Sequence, residues 1–224
     1  MVDSRYKFEV KKLLFISFVT VFSLSLSAQK IDPKYTFNVE LGLPAASANV
    51  PFKSVMQGLA TANVYGQYSF PFHFNVGLGV KYTYFVVDEF SLSEPVHGGI
   101  HSGGAFVKLG YDKFYNERFA MDYGVKFGYN ENFILTDANK ALGINPVRKS
   151  AFLIEPAVGV ILTADERNSY RLNLGYTIQG FGFQPTQLGL DSNMDFDESN
   201  FNMPTQFFFI GFGYTFYFGV KGGE

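Results

Sequence analysis

An all-β fold, an eight-stranded antiparallel up-and-down transmembrane β-barrel, is predicted by three features of this 224-residue sequence. Long segments alternate apolar with polar or small residues, the connections between them alternate long and short, and aromatic rings gather near the segment ends. Composition agrees. Twenty-seven Phe, fourteen Tyr and twenty-three Gly stand beside no Trp and no Cys. Rings suit a pleated surface, and glycine leaves room where backbone or rings crowd. The lack of cysteine excludes a disulfide framework, a thiolate metal site and a lipid anchor on an N-terminal cysteine. A formal net charge of -2 gives no reason to expect a nucleic-acid partner.

The N-terminus reads as an export signal over residues 1–28. Arg5, Lys7, Lys11 and Lys12 precede the apolar run LLFISFVTVFSLSLSA, which is shorter than the ~20 residues a spanning helix needs. Cleavage after Ser27 or after Ala28 fits its small-residue end. Residues 29–35 form a periplasmic lead-in, 36–219 the barrel and 220–224 a short tail. Beyond residue 30 no apolar run approaches ~18 residues without polar interruption, so a helical span is not available.

Eight strands follow in order. The first, 36–43, carries Asn38 and Glu40 on one phase; the second, 58–70, carries Thr61, Asn63 and Gln67. The third, 73–86, is the clearest: Phe74, Val76, Leu78, Val80, Tyr82 and Tyr84 alternate with His73, Asn75, Gly77, Gly79, Lys81 and Thr83. The fourth, 99–111, holds Ser102 and Lys108. In the fifth, 118–130, Phe119, Met121, Tyr123, Val125, Phe127 and Tyr129 alternate with Ala120, Asp122, Gly124, Lys126 and Gly128. The sixth, 151–163, holds Glu155. The seventh, 169–181, sets Arg171, Asn173, Gly175, Thr177 and Gln179 against Tyr170, Leu172, Leu174, Tyr176 and Ile178. The eighth, 206–219, contains FFFIGFGYTFYFG, with Phe208, Ile210, Phe212, Tyr214, Phe216 and Phe218 on one phase. Short connections at 71–72, 112–117 and 164–168 have turn chemistry in Pro71, DKFYNE and ADERN. The others are long, which puts turns and termini in the periplasm and the loops outside.

Beyond the end residue Arg118, seven strand charges share one phase: Glu40, Asp122 and Glu155 against Lys81, Lys108, Lys126 and Arg171. A Lys or Arg facing lipid at mid-membrane costs ~2–4 kcal/mol, so this phase lines the lumen. Two readings of the lumen stand: a packed ion-pair core, or a gated pore using the same residues for selectivity. Phe207 and Phe209 share the inward phase near the outer mouth and are candidate lumen plugs.

The whole chain, with its export signal ending SLSAQK, its eight Gly- and aromatic-rich alternating strands and its closing FGYTFYFG, resembles the outer-membrane β-barrel families of Bacteroidota, including the PorT-like group. The resemblance implies a small barrel, links some members to secretion machinery, and carries no catalytic fingerprint. A barrel-assembly signal resembling the usual terminal one precedes GVKGGE.

Catalytic candidates are few. His101 and Ser102 invite comparison with a Ser-His-acid lipid A deacylase, but adjacent strand residues point to opposite faces. His73 lies beside a turn and His97 in a loop. Asp191, Asn193, Asp195, Asp197 and Glu198 have the spacing that opens a calcium loop, yet Phe196 replaces the turning Gly and Asn202 the bidentate Glu. They are a weak divalent-ion candidate beside an acidic, solvated loop. Loop residues Phe52, Val55, Met56, Phe90, Leu92, Phe196, Phe201 and Met203 either pack over the mouth or form a protein contact. The expected function is a non-enzymatic outer-membrane barrel, structural, accessory or adhesive, without cofactors. Its expected partners are lipid, lipopolysaccharide, the assembly machinery and proteins met through the loops. A narrow channel for small polar solutes and a lipid-modifying enzyme are the alternatives.

Overall fold

A computed structural model describes residues 34–92, 96–144, 146–190 and 196–218. The export signal, the tail beyond 218, and Asp191, Asn193 and Asp195 lie outside the described residues. Among those described, eight antiparallel strands close in sequence order: β1 (Tyr35–Ala48), β2 (Met56–Ser69), β3 (Phe74–Val87), β4 (Gly98–Phe114), β5 (Phe119–Thr136), β6 (Val147–Thr163), β7 (Asn168–Gly182) and β8 (Pro204–Phe218). β1 pairs with β8 from Tyr35↔Phe218 through Phe37↔Phe216 to Leu43↔Ile210, so neither sheet edge is left open.

Each expected strand is present, and several run further toward the loops. β1 extends to Ala48 rather than 43, β5 to Thr136 rather than 130, and β6 begins at Val147 rather than 151. The expected long loop at 44–57 therefore reduces to the helical turn α1 (Val50–Val55), and that at 131–150 to residues around α2 (Asp137–Ala141). The reason is local. In the added wall, inward Asn130 and Asn132 flank outward Glu131, so both faces are polar and the period-two contrast vanishes while the ladder continues through Glu131↔Ser150 and Phe133↔Arg148.

The turns at the opposite end are built from side-chain caps. Asn116 Oδ1 accepts from the backbone N–H of Arg118 (2.9 Å) and Phe119 (2.8 Å), and Asp165 Oδ1 accepts from that of Arg167 (2.7 Å). These are Asx turns, the local use of Asn and Asp that the sequence pattern implies. β4 runs on to Phe114, which brings Asp112 out of the expected turn and into the wall.

The outward phase carries the apolar residues. Leu41, Leu78, Val80, Leu109, Leu172, Leu174 and Ile210 are each at least half exposed. Rings border this band on both sides: Tyr35 with Tyr68, and Phe216 with Phe218, toward the turns, and Tyr176 with Phe208 toward the loops. One interruption of the wall has a clear cause. The β6–β7 ladder lacks pairs between Ile154↔Ile178 and Ala157↔Gly175, where Pro156 has no N–H to give.

Candidate functional site: the lumen and its cap

Because every second residue of a strand points inward, the eight walls deliver their polar phase to one enclosed space. All seven expected lumen residues, Glu40, Lys81, Lys108, Asp122, Lys126, Glu155 and Arg171, are buried. Two acids and two bases make the central bridge. Lys126 Nζ donates to Glu40 Oε2 (3.0 Å) and Glu155 Oε1 (3.0 Å), and Lys81 pairs with Glu155 Oε2 while also donating to Thr177 Oγ1 (3.1 Å). Thr177 in turn donates to Glu155, so a side-chain bond spans β6 and β7 where Pro156 interrupts their ladder.

Toward the turns a second group continues the network. Lys108 Nζ donates to Asp122 Oδ2 (2.6 Å) and Gln67 Oε1 (3.0 Å); Arg171 Nη1 donates to Asp122 Oδ2 (2.9 Å). Tyr65 joins the halves, its hydroxyl donating to Glu40 Oε1 (2.7 Å) and accepting from Arg171 Nη1 (2.8 Å).

Asp112, buried at the end of β4, accepts from Gln67 Nε2 (3.2 Å) and lies 4.0 Å from Arg171. Four carboxylates, Glu40, Asp112, Asp122 and Glu155, thus face four cations, Lys81, Lys108, Lys126 and Arg171. The formal charges cancel. This is the condition under which buried ions persist, since an unpaired one would carry its full desolvation cost.

Tyr65, Phe106 and Asp112 are the interior residues that a reading of strand charges passes over. The signal for Tyr65 was present, because it lies in the same phase as Asn63 and Gln67. Its ring lies 5.3 Å from Lys108 Nζ and 5.6 Å from Lys126 Nζ, and Phe106 lies 5.3 Å from Lys126 Nζ, so both rings also solvate cations.

Phe207 and Phe209 are fully buried above the ionic bridge. Lys81 Nζ lies 5.4 Å from the first ring and 5.6 Å from the second. Space for Phe209 comes from glycines: a Cβ on Gly175 would stand 3.2 Å from its ring, and one on Gly42 or Gly211 would collide with it. Phe207 packs edge-on against Phe85 (5.1 Å), which meets Phe52 (4.8 Å), which meets Phe183 (5.6 Å). With Val55, Met56, Ile100, Ile134 and Leu188 these rings form an apolar cap over the loop end.

The loops are pinned to that cap. Buried Asn49 starts α1 by accepting from Phe52 N (3.0 Å) and ties it to the last loop by donating to Asn200 O (3.3 Å) and Met203 O (2.9 Å). Thr136 donates to Leu188 O (2.8 Å), and Gly189 turns back through φ 87°, a left-handed conformation that glycine adopts freely. The apolar loop residues therefore divide. Phe52, Val55, Met56 and Phe201 are buried, Leu92 and Phe196 pack against the cap, Met203 is partly exposed, and Phe90 stands wholly free.

Below the cap, the space between Glu40, Tyr65, Lys108, Asp122, Lys126 and Asn173 amounts to about 10 Å³. That is room for no more than a single water.

Other candidates are dispersed. Ser102 points inward and accepts from Asn130 Nδ2 (3.0 Å), whereas His101 lies outside, stacked 4.5 Å from Tyr84 and 2.7 Å from the Tyr82 hydroxyl. The two do not meet. His97 pairs with Glu89 at the surface of the second loop, and that hydrogen bond raises its pKa above the usual imidazole value. Asp197 accepts from Ser199 N (3.2 Å), capping the turn Glu198–Asn202, and among the described residues no three His, Asp or Glu side chains gather as a metal site.

No family model matches the chain, and no curated protein matches it. Solved structures do. The crystal structure of Neisserial surface protein A has a TM-score of 0.53 and 12% identity, covering 83% of this chain and 97% of that one. The outer membrane protein OprG from Pseudomonas aeruginosa likewise has a TM-score of 0.53, with 14% identity over 85% of this chain and all of the other. At such identities the likeness is one of fold. This chain is a closed eight-stranded antiparallel barrel of the kind those outer-membrane proteins possess.

Proposed function

We propose that the protein is an integral outer-membrane β-barrel without catalytic activity, acting as a structural, accessory or adhesive component through the loops that cap it. The observation that carries this reading is the division of its surfaces. The outward phase is apolar between two bands of rings, as a lipid-facing wall requires, while four acids and four bases neutralise one another inside. Termini and short turns would then face the periplasm.

An eight-stranded lumen filled by its own side chains leaves the loops as the part free to meet other molecules. Phe90, the most exposed ring among the described residues, is the contact point this reading assigns to a protein partner. The PorT-like resemblance favours membership of a larger outer-membrane assembly, and the closure of β8 on β1, which leaves no sheet edge open, favours a free-standing barrel. Affinity purification from native outer membranes separates them. A stoichiometric complex whose recovery is lost in Phe90→Ala identifies a subunit, and recovery of the barrel alone identifies a free-standing protein. Recovery in the soluble fraction would overturn the reading altogether.

A further inference from the structure

The barrel closes around its lower wall, but at the loop end one strand of the rim stands unpaired on one side. β6 pairs with β5 along Val147–Leu162, whereas its ladder to β7 begins only at Leu153↔Gln179. The cap is the cause. Beyond Gln179 the β7 chain turns inward: Phe181 and Phe183 join the apolar cluster, and Gly182 passes so close to the backbone of Phe201 that a Cβ would collide with it. β6 stays with β5 as far as Ile134↔Val147, so residues 147–151 keep a partner on one side only. Backbone groups of an antiparallel strand turn alternately to its two neighbours. Phe152 N and O face the β7 side, 4.0 and 3.7 Å from the place of a Cβ on Gly180. Two and four residues back, Ser150 and Arg148 therefore turn their N–H and C=O the same way, with no strand opposite them.

This edge is accessible and charged. Among the described residues, its backbone has one bond outside the β5 ladder, from Asn132 Nδ2 to Lys149 O (3.0 Å). Arg148, Lys149 and Ser150 are exposed, and the ring pair Tyr129 and Phe152, 5.7 Å apart, separates them from the apolar band. Lys149 projects on the inner phase, between Val147 and Ala151, and no carboxylate of the described residues pairs with it. Arg148, on the outer phase, stacks 5.2 Å from the Phe133 ring, and Glu131 is occupied on the closed β5 side, where it accepts from Ser150 Oγ (2.7 Å). Two copies joined edge to edge about Lys149 would set lysine against lysine, and like charges directly opposite destabilise a ladder. Short length and basic residues guard an edge against copies of itself. An acidic segment meets no such barrier.

We propose that residues 147–151 of β6 accept an extended segment of another protein as an added strand, with Arg148 and Ser150 supplying the main-chain hydrogen bonds and Lys149 selecting an acidic residue directly opposite. In such docking the main chain gives the strength and alternate side chains give the choice. Directly opposite residues have Cβ atoms ~5 Å apart on the same face, within reach of a lysine and a carboxylate. On that inner face Val147 and Ala151 flank Lys149, so the matching segment carries an acid between two apolar residues at every second position. The inference rests on the reading above that the loop end meets other proteins, and gives that partner a chemistry.

Fluorescence anisotropy of the full chain in lipid nanodiscs tests it, with a labelled heptapeptide of sequence Thr-Val-Thr-Glu-Thr-Val-Thr as the probe. The wild type is expected to bind it about tenfold more tightly than the same peptide with lysine at its centre. N-methylation of the third and fifth peptide residues, which removes the N–H groups facing Ser150 and Arg148, should abolish binding. Ser150→Pro removes an N–H that the β5 ladder does not use, so it should leave circular dichroism unchanged and weaken binding about tenfold. Lys149→Glu should reverse the preference between the two peptides. Binding that is absent in the wild type, or equal in wild type and Ser150→Pro, or insensitive to N-methylation, overturns the site. So does a wild-type dimer in sedimentation that Ser150→Pro dissociates, since the edge would then belong to a second copy. Failure of the wild type to enter nanodiscs would instead overturn the membrane reading, so the two failures are distinct.

Discussion

The interior of this barrel is filled in two ways, and they meet at Phe209. Toward the turns the filling is ionic: Arg171, Lys108 and Lys126 each bridge at least two partners, with Tyr65 between them. Toward the loops it is a core like that of a soluble protein, in which Phe52, Phe85, Phe183 and Phe207 interlock. The contrast follows from where each half gets its neighbours. In the lower half only strands face strands, and their inward phase must be the polar one if the outward phase is apolar. In the upper half, α1 and the last loop fold over the mouth and bring apolar side chains of their own, so burial there needs no ion pairs. Ionic filling ties stability to individual partners, whereas apolar filling spreads it over many contacts.

The sharpest break of this comparison is Glu155→Ala. It strips Lys81 and Lys126 of a shared partner in a closed space, and the expected loss is about 3–5 kcal/mol in urea unfolding from vesicles. Phe207→Ala should cost about 3 kcal/mol by opening a cavity in the cap, with neither variant conducting. Combining Glu155→Ala with Phe52→Ala should give additive losses within about 0.5 kcal/mol if the halves are independent. Combining Glu155→Ala with Lys81→Ala should cost much less than the sum, because the second change removes the cation that the first leaves unpaired while Lys126 keeps Glu40.

A smaller effect belongs to the joint between loops. Asn49→Ala removes the cap of α1 and both bonds to the last loop, and should cost about 1–2 kcal/mol, read as faster amide exchange around 200–203 with the lower wall unchanged. The smallest is a matter of pH. His97 has a raised pKa owing to the Glu89 hydrogen bond, so whatever the pair adds to loop order is complete below the ordinary imidazole value of ~6.5 and is lost as pH rises through the raised one. An NMR titration should find the His97 midpoint lowered in Glu89→Gln; an unmoved midpoint would remove the pair from the account.

How legible each half was depends on the same contrast. Alternation in HFNVGLGVKYTYF and RFAMDYGVKFGYN locates the strands and the inward phase, because an apolar outer wall around a polar interior forces period two. Closure of β8 on β1 follows from the barrel fold itself, which leaves no sheet edge. Tyr65 was within reach of the same phase rule, but a reading confined to charges does not count a phenol. Asp112 was hidden by turn chemistry, since DKFYNE reads as a connection although the wall continues to Phe114. The cap was the least legible part. Its residues come from α1, the second loop and the last loop, segments with no common period, and only the three-dimensional fold puts Phe52 against Phe85 and Phe183.

The central claim is that paired ions and an apolar cap together close the lumen. Planar-bilayer recording of the purified wild-type protein tests it most directly. A sealed lumen predicts no unitary current steps for the wild type, and none for Glu155→Ala at equal protein insertion. Stable, reproducible single-channel steps from the wild type would contradict it and make the same eight charges the lining of a pore.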